Sequence, residues 1–600
     1  SVPVVPRRMM SPWPTTSTHG ASTHGASHTA GRIAGDLGAL ASGAVLPLGF
    51  APFDFGMLAI LSLAVLFALW TGVSAGRAAR RGWLYGLGAF GVGVSWVQIS
   101  VHQFGLPHLA FSVSVTVAFV AILAAYPAVV GFLANRLCKN PGARRFLVAL
   151  PALWCAGEWV RGWLFTGFPW LSLGYSQIDS PLGGLAPIFG VYGVGLGAAL
   201  CAGLLCQVLF GPQRPSYLGG LVLFLAGSWA LGHVSWTRPA QEPLEVALIQ
   251  GDIAQAIKWA PAERQATIDR YLALSAPHWD KDLIVWPETA IPLFYDAAAP
   301  YVQTVRELAG RHPTEVLIGV PITKGNAEDY FNAVVSVRHA GVYRKRHLVP
   351  FGEYMPLPGA LLRILDFLEI PLADFSAGPR YQPLLEVAGH PIGVSICYED
   401  AFGEEIIDAL PAAELLVNVS NDAWFGDSLA PHQHLQIARM RARESGRYLL
   451  RATNTGVSAV IDERGRVLAR SPQFRPHTLS ARIIPHRGLT PYAAMGNYGI
   501  LGLTAMLLVF LALGWRPSHP ALFTRGDRRL ERSRFKAGPR FRSKRALVSF
   551  SNSLSIITLE LFIPVSVCHF GPVILLEAGR VLPGSLVYVE GKAIRLAVQA

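Results

Sequence analysis

Apolar residues along this chain come in two textures. Long uninterrupted runs occupy residues 34–52, 56–72, 83–101, 109–135, 146–164, 183–211 and 217–235, and an eighth, "NYGILGLTAMLLVFLALGW", spans Asn497 to Trp515. Each is near the roughly 20 residues that a helix needs to cross a hydrocarbon core about 30 Å thick. Between the seventh and eighth runs the pattern changes to short β-rich segments: "VALIQGDI", "DLIVWPE", "VLIGVPI", "NAVVSVR", "PIGVSICYE", "LLVNVSND" and "LLRATNTGVSAVI". Helical stretches such as "HQHLQIARMRARESGR" separate several of them. Continuous apolar strands mixed with helices predict an α/β domain whose sheets are covered on both faces. The expected fold is therefore a polytopic α-helical membrane protein of about eight spans with an inserted α/β domain.

Charge gives this arrangement a direction. Arg77, Arg80 and Arg81 follow the second run, Arg136, Lys139, Arg144 and Arg145 the fourth, and Arg214 the sixth, while the other connections carry almost no Lys or Arg. The positive-inside rule then places the N-terminus in the cytoplasm and the α/β domain on the extracytoplasmic side. The eighth span returns the chain to the cytoplasm, where Arg525, Arg528, Arg529, Arg532, Arg534 and Lys536 obey the same rule. Expected boundaries are a disordered tail at 1–33, a seven-span domain at 34–240, a catalytic domain at 241–490, the eighth helix at 495–515 and a basic tail of unassigned role at 516–600. The first apolar run lacks a clean signal-peptidase site and is read as a retained helix.

Composition agrees with a membrane protein. Of 600 residues 52% are hydrophobic and 15% charged, and the mean hydropathy of +0.37 is too high for a soluble globule. The net charge of +13 sits in loops and the tail, so a nucleic-acid partner is not expected. Of six cysteines, Cys138, Cys155, Cys201 and Cys206 lie in or beside apolar segments and Cys568 in the tail, leaving Cys397 alone in the polar domain. No disulfide framework or metal cluster is expected there, and no cofactor. His19 and His24, in the repeat "STHGASTHGAS", belong to a low-complexity tail rather than to a metal site.

Three polar residues fall at or near the ends of apolar strands: Glu288 in "LIVWPETA", Lys345 in "YRKRHLVPFGEYMP" and Cys397 in "VSICYED". Ligands and catalytic groups gather at strand ends in α/β folds, so the three could converge. Taken singly, each has a plainer role: a small buried hydrophobe for the cysteine, a helix cap for the glutamate, a solvated charge for the lysine.

With their flanks these residues resemble the nitrilase superfamily, whose Glu-Lys-Cys triad has this chain order and whose fold is an αββα sandwich. More closely, the chain is similar to the apolipoprotein N-acyltransferase family of bacterial membrane enzymes. The likeness runs from about Gly35 to Trp515 through "FTGFPWLSLGYSQID", "QGDIAQAIKW", "WPETAIP", "HLVPFGEYMPL", "ICYED", "VNVSNDAWFG" and "QIARMRARESGRYLLRATNTG". It implies that Glu288 is the general base, Lys345 the electrostatic stabiliser and Cys397 the nucleophile. Glu353, Tyr398, Glu399 and Trp259 match supporting or substrate-handling positions. It also implies the partners: a phospholipid acyl donor, a diacylglyceryl apolipoprotein acceptor and the bilayer of the bacterial inner membrane.

The chemistry needs these residue types. A free thiol, with a pKa of about 8.5, is mostly protonated near neutral pH, so a base must take its proton as it attacks. The oxyanion that forms needs preorganised positive charge or N–H donors in a dry site. Lys345 and the Tyr398 backbone N–H are the candidates for that task. Phe168, Trp170, Trp424 and Phe425 could hold acyl chains or mark the interface. Asn418, Ser420, Asn421 and Asp422 are read as shaping a loop, and Arg161 as snorkelling from a helix end. Two other readings stand beside this one: a membrane-tethered amidohydrolase with water as acceptor, and an inert lipid- or protein-binding scaffold.

Overall fold

A computed structural model describes residues 24–105, 108–240, 242–324, 326–354, 375–513, 586–589 and 592–595. The chain falls into two compact units, Ser1–Ser518 and His519–Ala600. In the second, Leu586–Val589 pairs antiparallel with Lys592–Arg595. The expectations for the N-terminal repeat and the basic stretch of the tail lie largely outside the described residues. Part of the expected N-terminal tail is ordered differently, because the first helix already begins at His24.

Every one of the eight apolar runs contains a helix. In chain order these are α1 (His24–Val45), α2 (Gly56–Leu69), α3 (Ala75–Gly93), α4 (Val97–Phe104), α5 (Leu109–Leu123), α6 (Ala125–Leu137), α7 (Leu150–Arg161), α8 (Ala186–Phe210) and α9 (Arg214–Leu231), with a last apolar helix at Tyr498–Leu513. Length and composition are sufficient for a membrane crossing in two described helical segments, Leu109–Leu137 and Pro181–Phe210. A third qualifies if α3 and α4, bent by 60°, count as one. Eight full-length spans are thus not what the described helices present. The difference lies in helix length and bends: α2, at Gly56–Leu69, is too short to cross by itself, and α3 and α4 are separated by a 60° bend.

The polar domain is built from strands β1 (Thr237–Pro239), β2 (Leu244–Gln250), β3 (Leu283–Val285), β4 (Glu315–Lys324), β5 (Asn326–Ser336), β6 (Val342–Arg344), β7 (Leu385–Val387), β8 (His390–Ile396), β9 (Leu415–Ser420), β10 (Leu449–Thr453), β11 (Ala459–Ile461), β12 (Val467–Arg470), β13 (His477–Ile483) and β14 (His486–Gly488). They form two six-stranded sheets, ordered β13-β2-β3-β4-β5-β6 and β12-β11-β10-β9-β8-β7. Alternation within β2 sorts its side chains to two sides. Val246 and Leu248 join Val285, Leu317, Ile396, Val417 and Leu450 in the core between the sheets. Ala247 and Ile249 pack outward with Ile268 and Tyr271 of the helix Arg264–Ser275, and with Val302 and Val305 of Tyr295–Gly310. On the opposite outer face Leu416 and Leu449 meet Leu435, Ala438 and Ala442 of the helix Leu429–Ser445. The domain is an αββα sandwich.

This sandwich is not tethered loosely to the helical region. Tyr398, Ala401, Ala430, Ile437 and Met440 belong to the same apolar core as Trp96, Trp170 and Tyr175. The connection between α7 and α8 therefore lies against the strand end that carries Cys397.

Candidate active site

Strand ends on both sheets supply the site. Glu288 follows β3 in the turn Trp286–Pro287–Glu288, and β4 lies tight beneath it at Gly319. A Cβ there would stand 2.3 Å from the Pro287 carbonyl oxygen and 2.8 Å from the Glu288 Cα, so only glycine permits this approach. Lys345 follows β6, its backbone N–H donating to the Asn332 carbonyl at 2.8 Å. Cys397 follows β8 and sits in the left-handed region, at φ +53°. For a residue with a Cβ that conformation costs about 1–3 kcal/mol and persists only where the surroundings impose it.

Glu288, Lys345 and Glu353 are buried and close together. The Lys345 Nζ lies 2.8 Å from the Glu353 carboxylate and 3.8 Å from that of Glu288. Burial alone would push this ammonium down, but the charges of Glu353 and Glu288 outweigh it and hold it well above the usual lysine range. The Cys397 thiol is pushed far up, first by burial and then by the negative charge of Glu288, with Lys345 offsetting only part. Ser420 offsets a smaller part still.

Two groups in the site escaped the sequence reading. Asn332, on β5, donates its amide to Glu288 Oε1 at 2.7 Å and to Glu353 Oε1 at 3.3 Å, bridging the two carboxylates. Asparagine is depleted in strands, so a buried one in "YFNAVVS" was the available signal. Lys258 is 2% exposed and donates to the Glu288 backbone carbonyl at 3.1 Å. Burial brings its ammonium down to about 8, against the pull of Glu288 and Cys397. The signal was a lysine inside the apolar "QAIKWA"; its neighbour Trp259, the residue singled out, is 49% exposed.

The remaining expectations sort by contact. Glu353 is fixed by the Val349 N–H at 2.8 Å. Glu399 accepts from the Arg346 and His347 backbone N–H groups on one oxygen and from Ile396 N–H and the Tyr343 hydroxyl on the other. It is thereby a clamp between the Lys345 loop and β8, and burial lifts its carboxyl to about 7 despite those bonds. Tyr398 donates its hydroxyl to the Gly167 carbonyl at 2.8 Å and stacks on Trp170, with ring centroids 5.9 Å apart. Phe425 packs on Trp96 and Trp424 on Phe104. Asn418, Ser420, Asn421 and Asp422 are all buried at or just after the end of β9.

Arg161 does not snorkel. It is 3% exposed, with its guanidinium donating to the Phe168 and Trp170 carbonyls and to the Ser172 hydroxyl. A cation bonded in this way to one loop stays inside, and this one shapes the "TGFPWLS" segment that meets Tyr398. Among the described residues no group of His, Cys, Asp and Glu has the arrangement of a metal site.

A carboxylate, an ammonium and a thiol at the strand ends of an αββα sandwich define a carbon-nitrogen-hydrolase-type site. Residues 245–487 match the carbon-nitrogen hydrolase family, and residues 42–204 match the apolipoprotein N-acyltransferase N-terminal domain. The chain is 47% identical to the apolipoprotein N-acyltransferase of Methylococcus capsulatus, over 78% of this chain and 94% of that protein. It is 43% identical to that of Pseudomonas aeruginosa, over 82% and 98%, and 42% identical to that of Vibrio cholerae, over 79% and 96%. The chain belongs to the apolipoprotein N-acyltransferase family.

Proposed function

We propose that the protein moves a fatty acyl group from a membrane phospholipid to the N-terminal α-amine of an S-diacylglyceryl-cysteine on an apolipoprotein, with Cys397 as the carrier. The observation that carries this reading is the burial of Glu288 and Lys345 within electrostatic reach of the Cys397 thiol, in a chain whose N-terminal part matches the acyltransferase N-terminal domain.

In the first half-reaction Glu288 takes the thiol proton as sulfur attacks the ester carbonyl. Because the thiol is strongly disfavoured as a thiolate at rest, proton removal and attack are coupled. Lys345 and the Tyr398 N–H stabilise the oxyanion. Its collapse expels the alkoxide of a lysophospholipid, which receives the proton from Glu288, and leaves a thioester on Cys397. In the second half a neutral α-amine attacks the thioester. Its proton passes through Glu288 to the departing sulfur, so an amide forms and the thiol is regenerated. An amide is more stable than a thioester, and the cycle runs downhill.

Both substrates reside in a bilayer, which explains the helical half. The reading keeps the N- and C-termini cytoplasmic, residues 34–240 and 495–515 as the membrane part and 241–490 as an extracytoplasmic catalytic domain. The loop arginines support it, as does the shared apolar core that joins Trp170 to Tyr398. Incubating purified protein with phospholipid labelled in its acyl chain and a diacylglyceryl-cysteinyl peptide tests the function. Labelled peptide, heavier by one acyl chain, is the expected product; free fatty acid without peptide acylation identifies a hydrolase instead.

A further inference from the structure

Behind Cys397 lies a closed ring of four buried charges. His434 on the helix Leu429–Ser445 has Nε2 2.8 Å from Asp400 Oδ1 and Nδ1 2.9 Å from Asp422 Oδ1. Arg451 on β10 closes the circuit, donating to Asp400 Oδ2 at 3.1 Å and to Asp422 Oδ2 at 3.0 Å. All four side chains are at most 3% exposed. Two cations and two anions make the ring neutral, which is the condition under which buried charges are tolerated.

Both ring nitrogens of His434 face carboxylate oxygens, so both must carry protons. The aspartates lift the imidazolium to about 9, against burial and Arg451. Asp422 is correspondingly held below the usual carboxylate range by Arg451 and His434, which outweigh its burial.

The ring reaches the nucleophile at one place. His434 Nε2 also lies 3.1 Å from the Cys397 carbonyl oxygen, which the Asn418 amide approaches from 3.4 Å. That carbonyl belongs to the peptide whose N–H is Tyr398's, the expected oxyanion donor. Trp170, from the helical half, covers both partners: its ring centroid is 5.5 Å from that of His434 and 5.9 Å from that of Tyr398.

We propose that His434, held doubly protonated by Asp400 and Asp422, is a positioning residue for the acyl transfer. It fixes Cys397 in its left-handed conformation through the carbonyl, and it polarises the Cys397–Tyr398 peptide so that the Tyr398 N–H binds the oxyanion more strongly. Chains of hydrogen bonds polarise one another in this way in a low-dielectric interior. The inference rests on the acyl-transfer reading above, and wild-type acylation at Cys397 is the control that separates the two.

The test compares full-length wild type, His434→Gln, and the charge-balanced pair His434→Gln with Asp400→Asn, following formation of the Cys397 acyl-enzyme from phospholipid in single turnover. A wild type that forms no such adduct refutes the transfer reading itself. The single variant unbalances the ring, so it loses stability and slows; the pair restores neutrality and stability. If His434 acts through the peptide, the pair folds yet acylates about 10- to 100-fold more slowly, a part of what loss of an oxyanion donor costs, with the donor concentration dependence unchanged. A stable pair that acylates at the wild-type rate overturns the proposal. Independently of any variant, 15N-histidine spectra of the wild type at pH 8 should retain a buried imidazolium signal, since ordinary histidines titrate near 6.5. Absence of any such signal also overturns it.

Discussion

Lys345 pairs with Glu353, 2.8 Å away, and stands 3.8 Å from Glu288. A lysine shared equally between two glutamates would hold the proposed base in an ion pair. The unequal distances instead assign the tight pair to Glu353 and leave Glu288 a weaker electrostatic partner, free to accept a proton. Glu353 is thus the residue that keeps the proposed stabiliser, Lys345, apart from the proposed base, Glu288.

Replacing Glu353 with Gln should release Lys345 towards Glu288. The acylation half-reaction is expected to slow by about 10²-fold, the scale of a misplaced electrostatic group. Single-turnover formation of the acyl-enzyme measures it, and an unchanged rate would show that the pair serves stability alone.

Asn332 makes a second prediction. It holds Glu288 Oε1 at 2.7 Å, and Asn332→Leu removes that donor at similar volume. The carboxylate then loses its fixed orientation. The turnover number should fall about 10- to 100-fold, as expected for displaced general-base catalysis, while the KM for phospholipid stays within about threefold. A change confined to KM would place Asn332 in donor binding instead.

Gly319→Ala tests the backbone under Glu288. The new methyl group meets three backbone atoms of the Pro287–Thr289 turn, so the Glu288 turn must move, and misplacement by about 1 Å can cost 10² in rate. Folded protein with little activity is the expected result, with circular dichroism and acyl-enzyme formation as the paired readouts.

Lys258 predicts a pH effect on stability. Its ammonium falls from 10.5 unfolded to about 8 folded, so between these values the unfolded chain binds more protons and stability rises with pH. Below pH 8 the cost of burying the charged form is fully present. Lys258→Met removes this term, and its stability advantage over the wild type should shrink steadily from pH 8 to pH 10, read by thermal unfolding in detergent. An advantage that is flat with pH would mean that the lysine is not buried as a cation.

The parts of this molecule that depend on local pattern were readable before the structure. The unbroken apolar run in "VALIQ" announces a strand with two buried faces, and β2 has them. The proposed triad comes from a different source, because its flanks resemble a family, whereas Cys397 alone is indistinguishable from a core thiol. What could not be read depends on distance in three dimensions. Arg161 looks like a helix-end cation in sequence, and only the return of the "TGFPW" loop shows where its donors go. The His434 ring draws on β10, the turns after β8 and β9 and a separate helix, and no spacing rule connects such positions. The positions of the apolar helices were legible but their number and length were not, since the bend between α3 and α4 and the break between α5 and α6 divide runs that are continuous in hydropathy.

The central claim is that Cys397 carries the acyl group. Purified protein incubated with phospholipid alone, digested and mapped by mass, should show one acyl chain on the peptide containing Cys397, removed by neutral hydroxylamine and lost to an added diacylglyceryl-cysteinyl peptide. A hydroxylamine-sensitive acyl adduct that persists in Cys397→Ala would contradict the account.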